Sequence, residues 1–156
     1  MPLEKLAELL DSKNKKYIVV KHSKSFTAQE VAASAHVPGD EMAKTVIVKI
    51  DGNLTMVVVP ATHEVNFDKI RDHLGAEEVE LATEEEFENL FPDCELGAMP
   101  PFGNLYDMDT YVSEALTKDR IIAFNAGTHK ELVKISYDDF ESIVAPKVLD
   151  LSIKTM

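Results

Sequence analysis

EMAKTVIVKIDGNLTMVVVP, residues 41–60, decides the fold class. Two β-branched runs, Thr45 to Ile50 and Leu54 to Val59, flank Asp51-Gly52-Asn53. Asp-Gly between apolar runs specifies a hairpin, because both residues accept positive φ. Side chains alternate along a strand, so Lys44 shares its face with Val46, Val48 and Ile50, while Thr45, Ile47 and Lys49 point the other way. Lys44 therefore heads a face expected to be buried. An ammonium in that position loses hydration and needs an anionic or strongly polar partner, from the protein or from a ligand, to stay charged. The alternative is a stem lying along the apolar face with its ammonium reaching water beyond the strand end.

The chain has 156 residues and is 45% hydrophobic, the size and composition of a single domain over residues 1–156 with one core. Its apolar runs fall short of the roughly 18 residues that a spanning helix requires. The start, MPLEKLAELL, lacks the pattern of a secretory signal, so the expected location is cytoplasmic, with no membrane contact. One cysteine, Cys94, cannot form an internal disulfide. The formal net charge of -12 opposes broad attraction to nucleic acid. Its distribution is uneven: Glu77 to Glu95 hold nine acidic residues and no basic one, whereas residues 1–25 hold six lysines. Lys13, Lys15, Lys16, Lys21 and Lys24 form either a phosphate-contacting patch or, as is commoner, a solvated surface.

Leu3, Leu6, Leu9 and Leu10 recur at helical spacing, and Tyr17 to Val20 reads as a strand. Thr27 to Glu30 has capping-box spacing for a helix through Ala35, ended by Pro38-Gly39. After the hairpin, Asn66 caps a helix through Phe67, Ile70 and Leu74 that Gly75 stops. A short strand is expected at Val79 to Leu81, then a helix capped by Thr83 and carrying Phe87, Leu90 and Phe91. Cys94 to Asn104, CELGAMPPFGN, is a loop stiffened by two prolines and given conformational freedom by Gly97 and Gly103. Strands follow around Leu105 to Met108, Thr110 to Val112, Arg120 to Phe124 and Leu132 to Ile135. Ser136 caps a last helix through Phe140 and Val144. Irregularly interspersed helices and strands imply a mixed α/β (α+β) fold with a largely antiparallel or mixed sheet.

The five histidines show no metal-binding spacing, and no glycine-rich nucleotide cradle is present, so neither metal nor cofactor is expected. There is no G-x-S-x-G elbow, and nothing near Cys94 in sequence lowers its pKa. His129 follows a Gly-Thr turn, a place for a hydrogen-bonding or proton-transferring imidazole at a pocket mouth; a capping or surface role is the alternative.

Three segments together resemble the YbaK/ProX family of aminoacyl-tRNA deacylases, the prolyl-tRNA synthetase associated editing domain. They are Ala43-Lys44-Thr45 entering the hairpin, Gly97-Ala98-Met99-Pro100-Pro101-Phe102-Gly103, and Phe124-Asn125-Ala126-Gly127-Thr128-His129. The resemblance implies a single domain with a mixed, barrel-like sheet packed by helices. It further implies hydrolysis of the ester that joins a wrong amino acid to the acceptor end of a tRNA. Water, helped by a tRNA ribose hydroxyl, would attack. By the same resemblance Lys44 matches the pocket lysine, and His129 a rim position that orients substrate or water. Thr45, Gly127 and Thr128 accompany them as substrate-binding residues. Gly97, Ala98, Met99, Pro100, Pro101, Phe102 and Gly103 match the pocket-lining loop, with Met99, Pro100 and Phe102 limiting side-chain size. Some editing relatives carry asparagine where this chain has Thr45, which leaves the amino acid open. Mischarged tRNA is the expected partner, with an aminoacyl-tRNA synthetase as a second. The rival reading is a non-catalytic module that binds an amino acid, a nucleotide or a synthetase.

Overall fold

The computed structural model describes residues 4–22 and 37–155. Four α-helices are described: α1 (Glu4–Ser12), α2 (Phe67–Leu74), α3 (Glu84–Phe87) and α4 (Tyr137–Val144). In chain order the described strands are β1 (Ile18–Lys21), β2 (Met42–Ile50), β3 (Asn53–Pro60), β4 (His63–Val65), β5 (Val79–Leu81), β6 (Thr110–Ser113), β7 (Ile121–Asn125), β8 (Glu131–Ser136), β9 (Lys147–Leu149) and β10 (Ser152–Lys154). The helix expected from Thr27 to Ala35 lies outside the described residues.

Asp51 and Gly52 adopt φ of 48° and 85° and make the two-residue hairpin turn, with β2 and β3 paired antiparallel from Ile50–Asn53 back to Ala43–Pro60. This hairpin sits at the middle of a mixed sheet ordered β1-β8-β7-β2-β3-β6-β9, and β5 also pairs with β2. The β2–β7, β3–β6 and β6–β9 pairs are parallel and the others in this sheet antiparallel. A second ribbon joins β4 to β10.

Central position explains the run Met56-Val57-Val58-Val59, which is apolar without alternation because both sheet faces are covered. Met56 and Val58 enter the larger core with Ala43, Ile47, Met99, Phe102, Phe124 and Phe140. Val57 and Val59 enter a second cluster on the opposite face with Val48, Ile70 and Leu151. The parity of β2 therefore places Lys44 on the Val48 face, as the alternation requires. The face of Ile47, which also carries Thr45, looks into the larger core.

Local chemistry sets the helix ends. The Asn66 side chain accepts from Lys69 N at 2.8 Å, Gly75 closes α2 at φ 64°, and Thr83 with Glu86 forms a reciprocal capping box. Beyond Phe87 the chain tightens to a 3-10 turn, Glu88–Leu90, in place of the continued α-helix that its leucine and phenylalanine spacing suggests. Ser136 caps α4 by accepting from Asp139 N. The strand expected at Leu105 to Met108 does not form. Gly103 O accepts both Tyr106 N (2.9 Å) and Met108 N (3.0 Å), so local turns take the donors that a strand would have needed. Among the described residues no helix is long and apolar enough to cross a membrane.

Candidate active site

Both β7 and β5 pair with the side of β2 turned away from β3, but at different places. β7 meets it at Met42 and Ala43, and β5 at Val48, Lys49 and Ile50. Between them, at residues 44–46, no described strand pairs with that side, and Ile47 O already accepts from Ala82 N at 3.0 Å. This gap in the sheet opens a cavity of about 600 Å³. Its lining comprises Ala43, Lys44, Thr45, Val46 and Ile47 of β2, with Ala61, Leu81, Ala82, Glu84, Phe87, Gly97, Met99 and Asn125 from elsewhere. The pocket is thus mostly apolar, with a few polar groups at defined positions.

Lys44 is half-buried, and its Nζ donates to the His63 carbonyl at 2.7 Å. The polar partner demanded by its position is therefore a main-chain oxygen supplied by β4. Burial holds its pKa below the ordinary lysine value, and Glu64 partly opposes that effect. The ribbon bearing this carbonyl is fixed by a polar chain: His63 Nδ1 lies 2.8 Å from Ser152 Oγ, which lies 2.7 Å from Ser113 Oγ. Burial also lowers the His63 pKa.

The Cys94 to Asn104 loop meets the cavity through Gly97, at φ 86°, and Met99. Its other half is an anchor. Pro100, Pro101 and Gly103 are buried, and fully buried Phe102 packs on Phe124 and Phe140 at centroid distances of 5.3 and 5.5 Å. A side chain at position 103 would collide with Thr110 and the Met108 carbonyl, which fixes glycine there. Ala98, Pro100, Pro101, Phe102 and Gly103 thus stand behind the cavity wall, whereas the resemblance had assigned the whole segment to the lining.

The turn after β7 holds this loop from behind. Gly127 N donates to Ala98 O at 2.9 Å, and Glu95 N donates to Gly127 O at 2.8 Å. His129 N donates to Glu95 Oε1, and its Nε2 lies 2.7 Å from Leu96 O. At 3% exposure, His129 sits beneath the loop and outside the cavity lining, not at an open rim. Thr128 Oγ1 accepts from Lys130 N and likewise lies outside the lining. Cys94 lies 3.3 Å from the Tyr106 hydroxyl, and burial pushes its thiol pKa up, opposite to the shift a nucleophile needs. Among the described residues no cluster of His, Cys, Asp and Glu could hold a metal ion.

Sequence reasoning missed Leu81, Ala82 and Phe87 as lining residues, and gave Asn125 no role although it lay inside a quoted segment. The apolar three read as ordinary core positions. Only the pairing of β5 with β2 brings Leu81 to the gap and the chain that follows it to the pocket.

A mixed sheet with a cavity at a pairing gap, faced by a lysine and a proline- and glycine-containing loop, makes this an α/β domain with a candidate site beside its central hairpin. The aminoacyl-tRNA editing domain model matches residues 22–143, and the chain belongs to that family. A proline–tRNA ligase of Staphylococcus epidermidis is 34% identical over 133 residues, covering 79% of this chain and 23% of the ligase. One from Staphylococcus aureus is 45% identical over 64 residues, covering 41% of this chain and 11% of the ligase. The chain thus spans a quarter or less of the ligases it matches. A solved structure described as a candidate trans-editing enzyme for prolyl-tRNA synthetase shares the fold. Its TM-score is 0.82 at 20% identity, covering 97% of this chain and 96% of that one.

Proposed function

We propose that this domain is an aminoacyl-tRNA deacylase that edits in trans, hydrolysing the ester of mischarged tRNA in the gap beside β2. The observation that carries the reading is Lys44: a half-buried ammonium on the margin of an otherwise largely apolar pocket, in a chain of the editing family. The acyl side chain occupies the apolar part of the pocket, bounded by Ile47, Ala82, Phe87 and Met99. Thr45 lines the same part, and its hydroxyl is a candidate contact to the acyl group.

Water attacks the ester carbonyl, the new oxyanion forms, and the bond to the ribose oxygen breaks. That oxygen takes up the proton that the attacking water gives up, which leaves free amino acid and uncharged tRNA. A positioned ammonium stabilises the developing oxyanion, a contribution worth about 10²- to 10³-fold in rate for one donor of this kind. Lys44 reaches it by exchanging the His63 carbonyl for the substrate oxygen. His129 is assigned as a positioning residue that fixes the Leu96 carbonyl and so the Gly97 backbone. Its placement under the loop supports this role over direct contact. The acceptor end of tRNA, and through it a synthetase, are the partners this reading implies, and the cytoplasm is the compartment in which they meet.

The test is amino-acid release from a panel of mischarged tRNAs by wild type and Lys44→Ala at equal folded concentration. A clear wild-type activity that drops by about 10²-fold or more in the variant is expected. No release from any member by a stably folded wild type would refute the deacylase reading and favour a binding module.

A further inference from the structure

We infer that Asn125 binds the α-ammonium group of the aminoacyl substrate, an inference that rests on the deacylase reading above. Asn125 is the last residue of β7, is 8% exposed, and lines the cavity. Its Oδ1 is buried and has no hydrogen-bond partner among the described residues. A buried carbonyl oxygen without a protein donor is destabilising and uncommon, and a donor group on a ligand in the cavity would satisfy it.

Strand register places Asn125 beside Lys44. β7 runs parallel to β2 through Met42–Ala123 and Ala43–Phe124. Met42 and Ala123 pack in one cluster and Ala43 and Phe124 in another, so the alternation puts Asn125 on the same face as Lys44, one step beyond the last pair. Lys44 does not supply the missing donor in the free protein: its Nζ donates to His63 O at 2.7 Å, and Asn125 Oδ1 has no partner among the described residues.

An aminoacyl ester carries oxygens at its carbonyl and ribose, and a donor-only group at its α-ammonium. The two polar positions match these in kind: the lysine suits the oxygens and the amide oxygen suits the ammonium. Glu84, the carboxylate of the lining, is exposed and hydrated, so its attraction for a cation is screened. Recognition of the ammonium would restrict the enzyme to aminoacyl esters and spare acyl esters that lack it.

The experiment compares kcat/KM for the best-hydrolysed aminoacyl-tRNA with that for the same tRNA carrying the desamino acyl group, in wild type, Asn125→Leu and Asn125→Asp. Wild type should prefer the amino form by roughly 10- to 100-fold, the range for a hydrogen bond to a charged group. Asn125→Leu should reduce the preference to below about threefold, and Asn125→Asp, which keeps an acceptor whichever way the amide is oriented, should retain it. Because the oxygen is unpartnered in the free protein, Asn125→Leu should melt at or above the wild-type temperature. Full preference in the leucine variant, an equal loss on both substrates, or loss of preference in Asn125→Asp would overturn the assignment. So would a leucine variant that melts well below wild type. Wild type that releases neither acyl group would instead sink the deacylase reading itself, and this proposal with it.

Discussion

Truncating Phe102 separates anchoring from substrate contact in the proline-glycine loop. The ring is fully buried between Phe124 and Phe140, at 5.3 and 5.5 Å between centroids, and does not border the cavity. Removing a buried phenylalanine side chain costs about 3–5 kcal/mol, the lost aromatic contacts included. With a urea dependence of about 2 kcal/mol per molar, a loss near 4 kcal/mol lowers the unfolding midpoint by about 2 M. Urea titrations of Phe102→Ala followed by circular dichroism measure this directly. Phe102→Leu retains most of the apolar volume and should cost less than Phe102→Ala, although it too loses both ring contacts. It should also leave the order of preference among mischarged tRNAs unchanged. Met99→Ala, altered at the cavity surface, should change that order. A Phe102→Ala midpoint within about 0.5 M of wild type, one quarter of the shift derived from the slope, would refute the anchoring argument. A reordered preference in Phe102→Leu would do the same by placing the ring against substrate.

Asp119 predicts a pH effect: burial, followed by Glu41 and Asp40, raises its pKa from 3.8 to about 6. The folded state then binds the proton more tightly than the unfolded state, so stability is greatest below the unfolded pKa and falls as pH rises through 6. Asp119→Asn should flatten thermal stability between pH 4 and 6 and raise it above that window, and a variant with the wild-type pH slope would exclude the effect. For tRNA contact, Lys15 and Lys16 line a second recess of about 820 Å³ with Lys134, Ile18 and Ile121, although Lys15 also pairs with Asp139 at 3.3 Å. Lys15→Glu with Lys16→Glu should raise KM for charged tRNA at low salt while leaving kcat, and an unchanged KM would remove this surface from the binding path.

Features legible in the sequence were those whose cause is local. The Asp51-Gly52 turn and the caps at Asn66, Thr83 and Ser136 each depend on a few neighbouring residues, and each stands where those residues are. Of the three-residue strands, β5 was legible from its own residues, whereas β4, β9 and β10, which pair with partners far along the chain, were not. The site divides the same way. Lys44 and Thr45 could be assigned to faces from alternation alone. The split of Gly97 to Gly103 into a cavity edge and a buried anchor depended on where Phe124 and Phe140 stand. The shared face of Asn125 and Lys44 required the parallel register between β7 and β2, which no local pattern encodes.

The gap beside β2 has a consequence for how such a domain diversifies. Its two ends are set by backbone ladders, β7 at one and β5 at the other, whereas its inner surface is trimmed by individual side chains such as Ala82, Phe87 and Met99. The frame is indifferent to which side chains do the trimming. On the deacylase reading, one substitution would therefore retune which acyl group is admitted while the scaffold and its lysine stay in place, so selectivity would drift in small steps without rebuilding the chemistry.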